Sequence, residues 1–169
     1  MQIIKFERDK SQFMIVLRKN VNNYFKEKGI STKGNWKSAL KSVVMLSIYL
    51  TPFILMLTVS MYNWMIFPLA VIMGIGMAGT GMSVMHDGLH GSASKKDWLN
   101  QLLGSTIYLF GTTSINWKVQ HNMLHHTFTN IDGMDEDIES KSALRLSVHA
   151  PLKKIHRYQY IYAFFLYSL

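Results

Sequence analysis

The sequence contains no cysteine, and this absence removes several kinds of chemistry at once. Disulfides, thiolate metal sites and thiol nucleophiles are all excluded, so a metal would have to be held by nitrogen or oxygen ligands. Ionisable side chains are also missing from a long interval, because no Asp, Glu, Lys, Arg or His occurs in the 44 residues from Ser42 through Met85. A membrane-spanning helix needs about 20 apolar residues. The sequence therefore predicts an integral membrane protein.

Basic residues lie on both sides of this uncharged interval. Ten Lys and Arg residues precede it, eight follow it, and the formal net charge is +8. Cations beside apolar spans mark the cytoplasmic side of a membrane, so we expect both flanks to be cytoplasmic and do not expect nucleic acid as a partner. Residues 1–41 do not have the form of a secretory signal. Frequent Lys, Asn, Ile and Met favour a bacterial source, and hence the bacterial cytoplasmic membrane.

The alternation of polar and apolar stretches predicts an all-α, integral membrane fold, in which a cytoplasmic helical cap follows a transmembrane hairpin. The expected segments are a basic amphipathic N-terminal part (1–38), a transmembrane hairpin (39–85, with spans at about 39–61 and 64–85), a cytoplasmic or interfacial part (86–157) and the start of a third span (158–169). Within the first segment, residues 10–28 are expected to form a helix that Gly29 ends.

One side of the second expected span is lined by small residues. These are Gly74, Gly76, Ala78, Gly79 and Gly81. Small side chains allow two membrane helices to approach closely, so we interpret this side as a helix-packing surface. A close approach of the backbone to a ligand is the alternative interpretation.

Five of the seven histidines fall in two tight groups. They are His86, His90, His121, His125 and His126. Helical residues four apart share a face, so each group would present two imidazoles together, and His126 would lie about 100° beyond His125. Imidazole suits zinc, copper, iron and nickel. The pattern predicts a metal site, whereas His149 and His156 are interpreted as ordinary core or surface residues.

The uncharged segment Leu102–Trp117 separates the two histidine groups and is 16 residues long. It is short for a membrane span, and a crossing would place the groups on opposite faces, about 30 Å apart. We therefore expect an interfacial or re-entrant segment that leaves both groups on the cytoplasmic side. Acidic residues follow the second group, and we interpret them as a solvated loop in preference to a set of ligands. They are Asp132, Asp135, Glu136, Asp137 and Glu139.

Five imidazoles exceed the three protein ligands that are usual for a catalytic zinc ion. Two alternatives follow: a pair of metal ions, or a site completed by other parts of the protein. A nitrogen-rich di-iron centre beside lipid would favour the oxidation of a hydrocarbon chain with dioxygen. Asp87 is a candidate for orienting a ligating imidazole, and helix capping or solvation is its alternative role.

The residues His86–Ser92 (HDGLHGS) and Trp117–Asn130 (WKVQHNMLHHTFTN) resemble the first two histidine boxes of the membrane fatty-acid desaturases. The separation of the boxes and the preceding hairpin also resemble that family, and the nearest group is the bacterial desaturases similar to linoleoyl-CoA (front-end) desaturases. The resemblance covers most of residues 35–169. It implies a non-haem di-iron oxidoreductase that uses dioxygen to remove two hydrogens from adjacent methylenes of an acyl chain.

The resemblance also has implications for the site and its partners. The five grouped histidines match the family's iron ligands position by position, and we expect the family's third box beyond Leu169, so that this chain alone would not complete the di-iron site. The acyl chain would be carried by coenzyme A, acyl carrier protein or phospholipid. A separate donor such as a ferredoxin or a free cytochrome would supply electrons, since the sequence contains no His-Pro-Gly-Gly haem signature. Trp117, Gln120 and Thr127 adjoin the boxes and are candidates for the acyl channel.

Three other functions remain open on the sequence. A fatty-acid or lipid hydroxylase would share the boxes and differ in how the substrate radical is resolved. A membrane zinc hydrolase would use three histidines and water. A membrane haem-binding electron carrier would need histidines that face each other across two spans, whereas these histidines follow the second span.

Overall fold

A computed structural model of the protein describes residue 6, residues 10–139 and residues 143–166, and all regular structure in these residues is helical. The predicted all-α fold class is therefore confirmed. The chain divides into two compact units, Met1–Leu103 and Gly104–Leu169, with one histidine group in each. The outer ends of the predicted segments 1–38 and 158–169 lie outside the described residues.

The first helix, α1, spans Phe13–Glu27 and lies within the predicted range 10–28. It ends just before Gly29, which has a φ of +62°. Glycine adopts this left-handed conformation without steric penalty, so it ends the helix as the sequence predicts. Most apolar side chains of α1 are exposed, with Phe13 at 62% and Ile15 at 67%. An exposed apolar face on a basic helix is typical of a helix that lies in a membrane surface.

The second helix, α2, spans Trp36–Thr58 and begins three residues before the predicted start at 39. The earlier start has a local cause, because the Asn35 side chain accepts the backbone N–H groups of Lys37 (2.9 Å) and Ser38 (3.4 Å). These donors belong to the first helical turn and have no partner within the helix, so an Asn at this position stabilises the helix start. Pro52 lies inside α2.

The third helix, α3, spans Asn63–Leu89 and extends beyond the predicted range 64–85. Thr80–Met85 form a π-helical segment, at whose end the N–H of His86 bonds to the carbonyl of Gly81, five residues earlier. The α-helix then resumes and continues to Leu89. In the described chain, α2 and α3 are the two helices long and apolar enough to cross a membrane.

Glycines allow α2 and α3 to pack closely as an antiparallel pair. A Cβ atom added to Gly76 would lie 2.6 Å from the carbonyl carbon of Ile48 and 2.7 Å from the Cα of Tyr49. A Cβ atom added to Gly79 would overlap the side chain of Met45. These distances are shorter than ordinary van der Waals contacts. At these two positions, the small side of α3 packs against a helix, as the sequence predicts.

The turn that follows α3 is bound to the segment that precedes α2. The Lys33 ammonium donates to the carbonyl of Gly91 at 2.7 Å, and the N–H of Gly34 donates to the carbonyl of Ser92 at 2.8 Å. The approach is close, because a Cβ atom on Gly34 would overlap the carbonyl of Ala93. The N-terminal segment therefore supports the end of the helix that carries the first histidine group.

A short helix, α4, spans Asp97–Gly104 and holds the other side of this turn. The buried Asn100 side chain accepts the N–H of Ser94 at 2.8 Å and donates to the carbonyl of Ser94 at 2.9 Å. Six residues of 3-10 helix continue α4, and Gly111, with a φ of +74°, ends them. The segment between the histidine groups is thus broken into pieces well short of the roughly 20 residues that cross a bilayer.

The second unit contains a composite helix, α5, at residues 114–128, and a last described helix, α6, at Gln159–Leu166. The parts of α5 are an α-helical turn at Ser114–Trp117, a π-helix at Lys118–His125 and a final turn at His126–Phe128. The side-chain amide of Gln159 exchanges two hydrogen bonds, 2.8 and 3.0 Å long, with the backbone of Arg145. These bonds fix the start of α6 against the chain that leads to it.

Candidate metal centre

His86 and His90 lie at the C-terminal end of α3, directly after its π-helical segment. The N–H of His90 bonds to the carbonyl of His86 at 3.0 Å, so the two residues are separated by one α-helical turn. Their ring centroids are 4.5 Å apart and their planes meet at 65°. The structure therefore brings these two imidazoles together, as their spacing of four residues predicts.

His121, His125 and His126 belong to α5, where the backbone is π-helical. The N–H of His126 bonds to the carbonyl of His121, five residues earlier. A bond of this kind places residues five apart one turn from each other, whereas an α-helix does so for residues four apart. The π-helical turn thereby brings His126 towards the face that carries the other two histidines.

The three imidazoles of the second group are mutual neighbours. The His121 centroid lies 5.2 Å from that of His125 and 4.8 Å from that of His126, and the last two are 5.6 Å apart. His126 is therefore a neighbour of the other two histidines, as the sequence predicts, although that prediction assumed an α-helix and did not include the wider turn. π-Helical segments are rare and occur frequently at functional sites.

A buried carboxylate, Asp135, holds the imidazole of His125. The His125 Nδ1 lies 3.0 Å from the Asp135 Oδ1, and Asp135 is only 2% exposed. Asp135 Oδ2 also accepts the backbone N–H of Asn130 at 2.7 Å, and its Oδ1 accepts the backbone N–H of Asp137 at 3.1 Å. This side chain therefore connects the loop after α5 to one of the candidate metal ligands.

The burial of Asp135 corrects the interpretation of the acidic stretch as a solvated loop. Asp132, Glu136, Asp137 and Glu139 are exposed, so the interpretation is right for them. It is wrong for Asp135, because a turn through Gly133 directs the chain back to His125, and the carboxylate becomes enclosed by its hydrogen-bond donors. In the sequence, nothing distinguishes Asp135 from its acidic neighbours.

The two partners shift each other's pKa in the directions expected of an ion pair. The hydrogen bond to Asp135 raises the pKa of His125, burial opposes this change, and the negative charges of Asp137 and Asp135 add to it. For Asp135, burial alone would raise the pKa, but the N–H of Asn130, the imidazole of His125 and the N–H of Asp137 outweigh it, and the pKa is lowered. An ionised carboxylate only accepts hydrogen bonds, so Nδ1 of His125 carries the proton.

Asp87, the carboxylate singled out in the sequence, is placed less tightly. Its Oδ1 lies 3.5 Å from Nδ1 of His86, at the outer limit of a hydrogen bond, and its Oδ2 lies 3.6 Å from the Lys41 ammonium on α2. Its backbone carbonyl accepts the N–H groups of Ser92 and Ala93. The Asp87 carboxylate thus lies between an imidazole and a lysine and is held tightly by neither. The hydrogen bonds that cap the end of the helix are accepted by its main-chain carbonyl.

Two of the three candidate channel residues border a common space with the second histidine group. Trp117 stacks on His121 with a centroid separation of 4.5 Å and an interplanar angle of 25°. Trp117 and Gln120 line a cleft of about 130 Å³ together with His121 and the residues 135–137. Thr127 is exposed and does not line this cleft. His156 lies outside this cleft, and its Nδ1 accepts the N–H of Lys153 at 3.1 Å.

The donor set of both groups fits iron. Imidazole nitrogen is a suitable ligand for iron, and neither a thiolate nor a disulfide competes, since cysteine is absent. Metal-binding histidines usually donate their other ring nitrogen to a carboxylate, as His125 does here, and this leaves Nε2 for the metal. Five imidazoles are few for two iron ions, so a di-iron centre would need further ligands.

The sequence matches known proteins over most of its length. The profile of the fatty acid desaturase family, described as "Fatty acid desaturase", matches residues 62–169, which include both histidine groups. The chain is 34% identical over 151 residues to the sn-1 linoleoyl-lipid 6-desaturase of Arthrospira platensis, covering 89% of this chain and 41% of that protein.

Two further relatives show the same pattern. The sn-1 linoleoyl-lipid 6-desaturase of Synechocystis is 32% identical over 168 residues, covering 97% of this chain and 45% of the relative. The acyl-lipid (8-3)-desaturase of Physcomitrium patens is 32% identical over 164 residues, covering 96% of this chain and 34% of the relative. The chain thus spans less than half the length of each of these relatives. No solved structure matches the chain.

Proposed function

Because the chain belongs to the fatty acid desaturase family, we propose that the protein introduces a double bond into an acyl chain. Two iron ions, when bound, would supply the oxidising chemistry that removes one hydrogen from each of two adjacent methylenes. Dioxygen accepts these two hydrogens together with two electrons and two protons, and leaves as two molecules of water. The electrons must come from a separate donor, such as a ferredoxin or a free cytochrome.

The observation that carries this proposal is the second histidine group. Three imidazoles stand within 5.6 Å of one another, and one of them is held at Nδ1 by a buried carboxylate. This arrangement supports metal binding more directly than it supports a structural role for five clustered histidines. His86, His90, His121, His125 and His126 are the proposed ligands, and the remaining ligands would come from the part of the relatives' length that this chain does not span.

The substrate class and the placement in the membrane belong to the same proposal. The relatives named above are acyl-lipid or linoleoyl-lipid desaturases, which favours a lipid-linked acyl chain over acyl-CoA or acyl carrier protein. Two helices long enough to cross a bilayer and a basic N-terminal segment favour a membrane protein with both histidine groups on the cytoplasmic side. We further propose that Trp117 and Gln120 lie along the path of the acyl chain.

The decisive experiment expresses the full-length protein in a bacterial host and analyses the host's fatty acids by mass spectrometry. A product two hydrogens lighter than its precursor indicates desaturation, whereas a product heavier by one oxygen indicates hydroxylation. His125→Ala should abolish the product while membrane insertion stays intact. His149→Ala is the matched control, because His149 is an exposed histidine outside both groups.

Metal analysis of the purified full-length protein separates the remaining classes. Two iron ions per chain support the desaturase and hydroxylase functions. One zinc ion or one haem per chain would contradict both and would favour a hydrolase or an electron carrier, respectively.

A further inference from the structure

Asp135 is a firmly held side chain beside the second histidine group, and it lies outside the proposed ligand set. Its carboxylate is 2% exposed and accepts three hydrogen bonds, from Nδ1 of His125 and from the N–H groups of Asn130 and Asp137. Backbone donors cannot rotate away, so they fix the carboxylate in one orientation. Such a group acts as a rigid acceptor for the imidazole it faces.

A rigid acceptor at Nδ1 determines two properties of His125. The proton resides on Nδ1, because the ionised carboxylate has no proton to donate. The ring plane is also defined, because a rotation would break a 3.0 Å bond and leave a buried charge with one partner fewer. Under both constraints, the lone pair of Nε2 has a single direction.

We infer that Asp135 is the positioning residue of the second histidine group: its hydrogen bond to Nδ1 fixes the tautomer and the ring orientation in which His125 presents Nε2 to iron. The inference rests on the proposed function only in naming iron as the ion that is bound. Carboxylates in this role typically contribute about 10- to 100-fold to metal affinity.

One rival arrangement uses the same atoms. Asp137 Oδ2 also lies 3.0 Å from Nδ1 of His125, and ligand atoms of His125, Asp135 and Asp137 all lie within 4.8 Å of one another. A cation held by these three groups would bind through Nδ1 and not through Nε2. The hydrogen bonds argue against it, because both oxygens of Asp135 already accept N–H donors. In the rival arrangement, Asp137 would matter as much as Asp135.

The test measures ferrous iron binding to the metal-free, full-length protein in detergent. Asp135→Asn should weaken binding by about 10- to 100-fold. Asp137→Asn is the matched control, since it makes the same chemical change beside the same imidazole at a side chain that is 55% exposed. It should stay within about fivefold of the wild type, the scale of an exposed ion pair. An equal loss in Asp137→Asn would overturn the inference in favour of the rival cation site.

A second control separates the orientation of His125 from simple loosening of the loop. Gly133 has a φ of +73° and open space around its missing Cβ, so Gly133→Ala strains the loop backbone without touching the carboxylate. It should bind iron nearly as well as the wild type. If Gly133→Ala weakens iron binding as much as Asp135→Asn does, Asp135 only stabilises the loop and the inference fails.

Two further readouts depend on the imidazole itself. The ¹⁵N chemical shifts of labelled histidine in the metal-free protein should show His125 protonated at Nδ1 in the wild type and a mixture of tautomers in Asp135→Asn. In a His125→Ala background, Asp135→Asn should cause no further loss of iron affinity. Unchanged tautomers, or additive losses, would refute the role of Asp135. A wild type that makes no unsaturated product would refute the proposed function instead, since these measurements require no turnover.

Discussion

Replacing Gly76 by alanine should separate α2 from α3, and the structure indicates the size of the effect. The added Cβ would lie 2.6 Å from the Ile48 carbonyl carbon, whereas ordinary contact begins at 3.4 Å, so the helices must move apart by at least the difference of about 0.8 Å. The opposing atoms belong to the backbone of Ile48 and Tyr49, which cannot change rotamer to make room. Overpacking at such a site typically costs about 1–3 kcal/mol.

The matched control is Gly74→Ala, two residues earlier on the same helix. An added Cβ at Gly74 meets nothing within 4 Å, so this variant has no packing penalty. It should gain only the stability of about 0.5–1 kcal/mol that alanine gives over glycine inside a helix. The difference between the two variants therefore isolates the packing cost.

The free energy of unfolding of the full-length protein in mixed detergent micelles measures this difference. Gly76→Ala should be the less stable variant by about 1–3 kcal/mol or more, and its bound iron should fall, because α3 carries His86 and His90 at its end. Equal stability of the two alanine variants would show that α2 and α3 do not pack through this glycine, and would refute the close antiparallel pair.

Two other predictions concern the segments beside the histidine groups. Gly34→Val would drive a branched side chain into the backbone of the turn after α3, so its bound iron should fall well below that of Gly74→Ala, and equal iron content would contradict a supporting role for the N-terminal segment. In the metal-free protein, the raised pKa of His125 contributes stability that is full below its unfolded value of about 6.5 and is lost as pH rises through the folded value. The lowered pKa of Asp135 contributes stability that is present above about 3.8 and is lost as pH falls through the folded value. Hydrogen-exchange protection of the Asn130 amide, which Asp135 holds, should therefore be greatest between about pH 4 and 6.5, and a flat profile would contradict the ion pair.

Much of the fold could be predicted because its signals are local. The uncharged interval from Ser42 to Met85 is a matter of composition, and the end of α1 at Gly29 depends on one residue's conformational freedom. The start of α2 could also be predicted from the sequence, since Asn35 lies directly before the helix and Asn is a favoured capping residue. The prediction placed this start three residues late because it followed hydropathy and not the capping residue.

The π-helical segments could not be predicted from the same signals. His121 and His125 have the spacing that an α-helix would use, and the sequence does not show that the N–H of His126 bonds five residues back. A wider turn is less favourable than an α-helical turn on its own, so it persists where packing around it supplies compensating contacts. Spacing therefore selects these histidines as candidate ligands, while their actual geometry depends on tertiary structure.

The same distinction explains why one carboxylate, Asp87, was recognised in the sequence and the more firmly held one, Asp135, was not. Asp87 is adjacent to His86 in sequence, yet it shares its charge with Lys41 and lies 3.5 Å from the imidazole. Asp135 is ten residues from His125 and reaches it through a loop that contains a left-handed Asn130, with a φ of +63°, and Gly133. A carboxylate that a loop brings to an imidazole can be surrounded by backbone N–H donors, as Asp135 is. A carboxylate beside the imidazole on the same helix, such as Asp87, stays partly exposed to solvent and also contacts a lysine. The imidazole of His125 is thus oriented more firmly than that of His86 because its carboxylate comes from a loop ten residues away. The same distance in sequence made Asp135 hard to recognise as its partner.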